Sequence, residues 1–459
     1  MRSPLPTDLL RRFDVAGPRY TSYPTADRFV EAFGQVDLAG ALAHRRTTGE
    51  AQPLSLYVHI PFCESLCYYC ACNKIITKKH QRGAAYLHNL QQEVALYAAQ
   101  LGTDQPVTQL HLGGGSPTFL TDDELGELMD ILRRGFRLVP GGEFSIEIDP
   151  RTVDTGRLRR LHELGFNRLS FGVQDFDAQV QQAVHRVQPA SQVFALVRAA
   201  REIGFESVNV DLIYGLPKQT QTSFARTLEQ VGTLRPDRIA LYGYAHLPER
   251  FKPQRHILQA DLPLAGEKLG MLEQALEAFQ AAGYVYIGMD HFALPDDALA
   301  VAQRQGRLHR NFQGYSTQPD CDLIGLGVSA ISRVGATYSQ NAKTLEDYAD
   351  HLAQGRLPVV RGLALTRDDL ARRAIIMALM CQGQLLFESI GQAWLVDFHQ
   401  YFAPELEQLR DHEALGLVRI DEEGIQVTPA GWYVVRAIAM VFDRHLQADR
   451  NRVKFSRIL

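Results

Sequence analysis

The chain has 459 residues, of which 46% are hydrophobic and 22% charged, with a formal net charge of −4. That length allows about two to four domains. The near-balanced charge gives no global electrostatic footprint for nucleic acid, and no apolar run reaches the ~20 residues of a membrane-spanning helix.

Met1 to Thr7 has no apolar stretch of a secretory signal, and charged residues follow between Asp8 and Asp14, so a reducing, cytoplasmic location is expected. Residues 1–50 read as an irregular, partly helical arm. Its distinctive piece is Gly17-Pro-Arg-Tyr-Thr-Ser-Tyr-Pro-Thr-Ala26, rich in turn formers and aromatics.

The first strand candidate, Leu54–Ile60, leads into Cys63-Glu-Ser-Leu-Cys67-Tyr-Tyr-Cys70-Ala-Cys72. Only Cys321 and Cys381 lie outside this run. Thiolates so close together repel unless a cation neutralises them. A disulfide framework would need an oxidising compartment. A structural zinc site draws cysteine pairs from two separated knuckles, and here there is one stretch. Inert buried cysteines have no reason to crowd. The spacing C-x3-C-x2-C favours an iron–sulfur cluster on three thiolates, with one iron open to another ligand.

Further strand candidates are Val107–Leu112, Glu143–Ile148, Arg168–Val173, Ser207–Ile213, Arg238–Tyr244 and Tyr284–Met289. Their apolar, β-branched character suits strands covered on both faces. Helix-period segments alternate with them: Ala84–Leu101, Asp122–Arg134, Thr155–Leu164, Ala178–His185, Gln192–Ile203, Ser223–Leu234 and Gly266–Ala282. The alternation predicts an α/β fold, an incomplete barrel of six βα units with parallel strands. In such sheets the site forms at the C-terminal strand ends, where the cysteine run falls.

Polar residues gather at those ends. Leu112-Gly-Gly-Gly-Ser-Pro-Thr118 offers a close backbone approach, as a plain tight turn or as a cofactor cradle, and lacks a P-loop ending. Glu147 and Asp211 lie inside apolar strands, where a carboxylate needs either a salt bridge or a ligand. Convergence on one mouth favours ligand contacts. Carboxylates suit ribose hydroxyls and amino groups, and Gln174 and Arg186 suit an amino-acid moiety. His59 could ligate or pack. His291 and the loop His309-Arg-Asn-Phe-Gln-Gly-Tyr315 fit either an acidic, flat substrate or a solvated surface.

After residue 370 the pattern turns helical at Ala371–Met380, Ser389–Tyr401 and Pro404–Glu413. Two short extended runs, Leu417–Ile420 and Ile425–Thr428, precede a closing helix over Pro429–Leu446. This resembles a winged helix. Its hairpin carries Asp421, Glu422 and Glu423, which repel phosphates, so it reads as a packing or lid module. The expected division is an arm over 1–50, a barrel domain with extension over 51–365 and a helical domain over 366–459.

The Cys63, Cys67, Cys70 triad with Gly113–Gly115 and the βα alternation resembles the radical S-adenosylmethionine (SAM) enzymes. Arg19-Tyr-Thr-Ser-Tyr-Pro-Thr25, Cys72, Gly172-Val-Gln-Asp-Phe176, Asp211-Leu-Ile-Tyr-Gly-Leu-Pro217, Gly288-Met-Asp-His-Phe292 and His309–Tyr315 narrow the likeness. They look like the oxygen-independent coproporphyrinogen III dehydrogenases of heme biosynthesis, over residue 17 to the C-terminus. The resemblance implies that Cys63, Cys67 and Cys70 ligate a [4Fe-4S] cluster, with Cys72 outside it. It implies a 5′-deoxyadenosyl radical that converts two propionates of coproporphyrinogen III to vinyl groups, giving protoporphyrinogen IX. It further implies two SAM molecules. Tyr57, Gly114, Glu147 and Ile331 would contact the cluster-bound one, and Tyr69, Gly115, Ser116, Gln174, Arg186, Asp211 and Ala245 the second. The chain departs from the usual pattern at Ser116, commonly threonine, and Ala71, commonly glycine. Both changes are small, and Ser116 keeps the hydroxyl.

No catalytic residue is assigned by this resemblance, and Arg19 and Arg310 are candidates for the substrate carboxylates. An electron donor such as a flavodoxin or ferredoxin, a monomeric state and no nucleic-acid partner are expected. The alternative is a heme-binding chaperone of the same superfamily, whose members typically lack the fourth cysteine and the Arg19–Thr25 arm. A DNA-binding regulator is the remaining alternative, opposed by the acidic hairpin.

Overall fold

The computed structural model describes residues 12–13, 15–48 and 52–447. Residues 1–11, 14 and 49–50 of the expected arm, residue 51 and residues 448–459 lie outside the described residues.

Apolar, β-branched runs form the sheet centre. These are β1 (Leu54–Ile60), β4 (Pro106–Gly114), β5 (Arg137–Ile148), β6 (Arg168–Gln174), β7 (Ser207–Tyr214) and β8 (Arg238–Gly243), with β2 (Phe62–Cys63) and β3 (Ile75–Ile76) as a small separate pair. The six central strands lie side by side in chain order, all parallel. Amphipathic helices connect them, including Gln81–Leu101, Asp122–Gly135, Ala190–Ile203 and Gln221–Leu234. Helix Asp122–Gly135 begins at a capping box: Thr121 Oγ1 accepts from Glu124 N, and the Glu124 carboxylate accepts from Thr121 N.

The sheet does not stay parallel. β9 (Val285–Gly288) and β10 (His291–Ala293) add antiparallel strands beyond β8, and β11 (His309–Asn311) and β12 (Gly314–Ser316) form a separate hairpin. β13 (Asp322–Leu326) returns to lie parallel to β1, followed by antiparallel β14 (Ile331–Val334), β15 (Thr337–Asn341) and β16 (Val359–Ala364). The result is one twelve-stranded mixed sheet in the order β16-β15-β14-β13-β1-β4-β5-β6-β7-β8-β10-β9. β1 and β8 do not pair, so the barrel stays open, as the sequence predicts. The strands of 322–364 escaped the sequence reading because they are short, none longer than the six residues of β16.

The C-terminal region carries helix Arg367–Gln382 and a three-stranded sheet of β17 (Gln384–Leu386), β18 (Val418–Ile420) and β19 (Gly424–Val427). Two expected helices are broken. Ser389–Tyr401 splits into Phe387–Trp394 and Phe398–Tyr401, because Leu395 takes φ of 52° and Asp397 caps the second turn through Gln400 N. Pro429–Leu446 splits into a 3-10 turn at Gly431–Val434 and helices Val435–Met440 and Arg444–Gln447. There the Asp443 carboxylate accepts from Leu446 N and starts a new turn.

Two large cores result. One fills the central sheet with Leu56, Val58, Leu110, Ile146, Phe171 and Val210. The other joins Tyr20 and Tyr23 of the arm to Ile375, Leu379, Trp432 and Phe442. Tyr20 also donates to Asp443 Oδ2 at 3.0 Å. The arm is therefore held by the C-terminal region, each buried aromatic contributing roughly 2 kcal/mol of transfer free energy. Within the first core, the fully buried Glu93 accepts from Gly327 N at 2.7 Å, Tyr348 Oη at 2.5 Å and Asn341 Nδ2 at 2.7 Å. It pins the turn between β13 and β14. Among the described residues, no helix is long and apolar enough to cross a membrane.

Candidate active site

The cysteine run leaves β2 at Cys63 and returns at β3, so both ends of the loop are anchored. Thr77 N bonds to Cys63 O at 2.9 Å, Tyr68 N to Val184 O at 3.0 Å, and the Tyr68 ring lies between His185 and His256. The glycine run of β4 closes against the same loop. Gly115 N donates to Ile60 O and Ser116 N to Phe62 O, each at 2.8 Å. A Cβ on Gly115 would stand 2.8 Å from Phe62 O and 2.9 Å from Pro61 C, so only glycine admits this approach.

Cations surround the thiols. Arg186 Nη1 lies 3.5 Å and Arg151 Nη2 3.7 Å from Cys67 Sγ, and Lys74 Nζ donates to Cys70 O at 3.0 Å. Burial pushes the Cys63 thiol up to about 12. The Cys70 thiol is lowered to about 6, first by a hydrogen bond from Cys72 and then, against burial, by Lys74. Cys72 is itself exposed. Among the described residues no three His, Cys, Asp or Glu side chains converge on one metal ion. A cluster asks for something else, since each thiolate binds its own iron. Three thiols on an anchored loop, faced by two guanidinium groups, fit that demand.

Two further sets of residues meet the loop. The Tyr57 ring stacks on His111 at 5.9 Å, and His111 Nε2 reaches Glu147 Oε1 at 3.3 Å. Glu147 Oε2 accepts from Gly114 N at 3.2 Å. Glu147 was expected to be buried, yet its side chain is 42% exposed, because β5 ends there and the carboxylate looks into the mouth. Tyr57 stands opposite Gly325 across β1 and β13, and a Cβ on Gly325 would collide with the Ile331 backbone. That absent side chain brings Ile331 to the Tyr57 side of the mouth.

The second set is organised by Arg186. Its Nη2 donates to Gly172 O at 2.7 Å, its guanidinium pairs with Asp149 at 3.4 Å, and Nε is buried without a partner. Gln174 follows in the left-handed region at φ of 68°, a strained backbone for a non-glycine residue. Asp211 is in register with Gly172 and accepts from Asn209 Nδ2 at 2.9 Å and Ser170 Oγ at 3.1 Å. Burial, then the nearby Glu147 charge, raise its carboxyl to about 6. Tyr69 and Ala245 come together through a residue the sequence reading missed. The buried Gln254 donates Nε2 to Tyr69 O at 3.1 Å and to Ala245 O at 3.2 Å. Ser116 Oγ bonds to Thr118 Oγ1 at 3.1 Å.

The histidines resolve differently. His59 Nε2 donates to Asn73 O at 2.9 Å while Nδ1 accepts from Tyr57 Oη at 3.1 Å, so neither ring nitrogen is left for iron. Burial lowers its pKa and keeps it neutral. His291 donates Nδ1 to Met289 O at 2.6 Å, and burial, then Arg310, push it down to about 3. The expected loop at His309–Tyr315 is the β11–β12 hairpin, its turn held by Asn311 Oδ1 accepting from Gln313 N. On it Arg310 is 5% exposed, donates Nε to Arg19 O and keeps Nη1 buried without a partner. Arg19 reaches Asp290 Oδ2 at 3.4 Å and lies over the Tyr242 ring.

An open parallel sheet with a three-thiol loop after its first strand and a glycine cradle after its second defines a radical SAM protein. The chain matches the Radical SAM superfamily over residues 57–231 and the HemN C-terminal domain over residues 365–434. The superfamily's cofactors are SAM and a [4Fe-4S] cluster. The chain is 53% identical to the oxygen-independent coproporphyrinogen III oxidase of Pseudomonas aeruginosa over 454 residues, 98% of each chain. It is 49% identical to the enzyme of that name from Escherichia coli strain K12 over 451 residues, again 98% of each. The solved coproporphyrinogen III oxidase (HemN) from Escherichia coli, a radical SAM enzyme, superposes with a TM-score of 0.92 at 48% identity, covering 97% of this chain and all of that one. The chain belongs to the family of oxygen-independent coproporphyrinogen III oxidases.

Proposed function

We infer that this chain converts coproporphyrinogen III to protoporphyrinogen IX without oxygen, turning two propionates into vinyl groups. At each propionate a hydrogen atom leaves the β-carbon, the bond to the carboxylate breaks with release of carbon dioxide, and one electron passes to an acceptor. The reading is carried by a three-thiol loop whose entry, at Ile60 and Phe62, is hydrogen-bonded to Gly115 and Ser116, in a chain that matches the family over 98% of its length.

A [4Fe-4S] cluster held by Cys63, Cys67 and Cys70, with SAM on its open iron, would supply the one-electron cleavage that starts hydrogen abstraction. The protein's part is orientation and exclusion of water. Tyr57, Gly114, Glu147 and Ile331 are proposed to line the cluster-bound SAM. The chain of contacts from Tyr57 through His111 to Glu147 and Gly114 supports that grouping. We propose a second SAM against Tyr69, Gly115, Ser116, Gln174, Arg186, Asp211 and Ala245. Arg186 on Gly172 and Gln254 between Tyr69 and Ala245 support this second grouping.

The division into arm, barrel domain and helical domain at residues 51 and 366 is proposed on the two cores and the match over 365–434. A monomer in the cytoplasm, reduced by a flavodoxin or ferredoxin, completes the proposal. Anaerobically reconstituted protein given SAM, a reductant and coproporphyrinogen III should release methionine, 5′-deoxyadenosine and protoporphyrinogen IX. SAM cleavage with the porphyrinogen untouched would refute the substrate. Stoichiometric heme binding without turnover would favour the chaperone reading, which the Arg19–Thr25 arm and Cys72 oppose.

A further inference from the structure

Beyond the end of β5 the chain passes through Asp149 into a 3-10 turn, Pro150–Thr152. Asp149 Oδ1 accepts from Arg151 N at 3.1 Å and caps the turn. Gln192 Nε2 donates to Pro150 O at 2.7 Å, which ties the turn to helix Ala190–Ile203. Arg151 therefore leaves a backbone held at both ends of its short turn.

The Asp149 carboxylate also aims the side chain. Arg151 donates Nε to Asp149 Oδ1 at 2.9 Å and Nη2 to Oδ2 at 2.7 Å, a fork that fixes the guanidinium plane. Nη2 carries a second hydrogen, and Cys67 Sγ lies 3.7 Å away. Arg186 reaches the same sulfur with Nη1 at 3.5 Å and the same carboxylate at 3.4 Å. Against burial, the Arg186 charge and then the bonds from Arg151 hold the Asp149 carboxyl below its ordinary value. Two guanidinium cations and one carboxylate anion thus face Cys67, which is 8% exposed. The surplus is positive, beside a sulfur that water barely reaches.

A [4Fe-4S] cluster gains one negative charge on reduction, and net charge and hydrogen bonds at its sulfurs set its potential. Donors aimed at a ligating sulfur favour the reduced form, because that sulfur then carries more negative charge. Burial keeps the effect from being screened.

We propose that Arg151, aimed by Asp149 as a positioning residue, raises the reduction potential of the cluster through its contact with Cys67. One electron leaves a reduced flavodoxin or ferredoxin and enters the cluster, and no bond to Cys67 forms or breaks in that step. The proposal rests on the three-thiol cluster reading and deepens it. Arg151 belongs to neither set of residues assigned to SAM, so its effect is separable from SAM binding.

A redox titration of the reconstituted protein, followed by electron paramagnetic resonance without SAM and again with it, tests this. Arg151→Gln should make reduction about tenfold less favourable, which is a fall of about 59 mV for one electron. Asp149→Asn removes the anion and should shift the potential upward. Iron content and the Kd for SAM should stay near wild type in both variants. A residue that merely held the loop in place would not give shifts of opposite sign. An unchanged potential in Arg151→Gln would overturn the proposal, as would shifts of the same sign in the two variants. So would a shift seen only with SAM bound, which would place the action of Arg151 on SAM. If Arg151→Gln takes up no iron, Asp149→Asn decides alone, and a potential that does not rise overturns the proposal. Wild-type protein that assembles no four-iron cluster would instead refute the cluster reading itself.

Discussion

Arg186 touches Cys67 and Gly172 with one guanidinium, Nη1 at 3.5 Å from the sulfur and Nη2 at 2.7 Å from the carbonyl. The planar fork, 119 residues from Cys67 in the sequence, couples the cysteine loop to the end of β6. Lysine cannot make both contacts. Arg186→Gln and Arg186→Lys should therefore both weaken SAM binding about tenfold while iron content stays near normal, measured by equilibrium binding and iron assay.

The three thiols differ from the fourth. Cys67→Ala should lose most cluster iron and the accompanying visible absorbance. Cys72 is exposed at the far end of the loop, and Cys72→Ala should retain both. Loss of iron from the Cys72 variant would show a fourth protein ligand and contradict an open iron.

Gly115 offers a test of the cradle. Its built Cβ meets backbone rather than a flexible side chain, 2.8 Å from Phe62 O. Gly115→Ala must displace the residues leading into Cys63. Product formation should fall at least a hundredfold, with far-ultraviolet circular dichroism unchanged. Wild-type activity in this variant would show that the loop can yield.

Asp211 predicts a pH effect with a definite sign. Its folded-state value of about 6 lies above the ordinary carboxylate value. The neutral form therefore contributes stability fully present below about pH 4 and lost as pH rises through about 6. At pH 8 the buried charge costs about 3 kcal/mol. Asp211→Asn should be more stable than wild type at pH 8 and little different near pH 4, read from denaturation midpoints. The same variant should bind SAM more weakly at pH 8, where wild type presents the carboxylate, and wild-type affinity should fall below pH 6.

How far the sequence could be read follows from the range of the forces involved. The Cys63–Cys70 spacing, the Gly113–Gly115 run and the periodicities of the six central strands and their helices are local patterns. Local geometry fixes them, so they were legible, down to the exact limits of β1. Glu147 and Asp211 stood out as acids among apolar neighbours. The sequence could not say that Glu147 is half-exposed, because that depends on where β5 ends relative to the strands beside it.

Tertiary structure alone decided the rest. The Ile331 backbone lies against Gly325, beside Tyr57, because β13 returns to lie parallel to β1, a pairing between residues more than 250 apart in sequence. Tyr20 and Tyr23 lie buried against the C-terminal region, and Gln254 joins Tyr69 to Ala245, contacts no spacing rule reports. Lys343, Arg361 and Arg250 line one cavity with Arg19 only because the arm and the antiparallel edge meet there. By itself, the sequence determined the chemistry of the thiol loop and the repeating units that present it, since both are written within a few residues. Which distant side chains surround that loop was decided by long-range burial and strand pairing, whose free energy depends on the whole sheet being assembled.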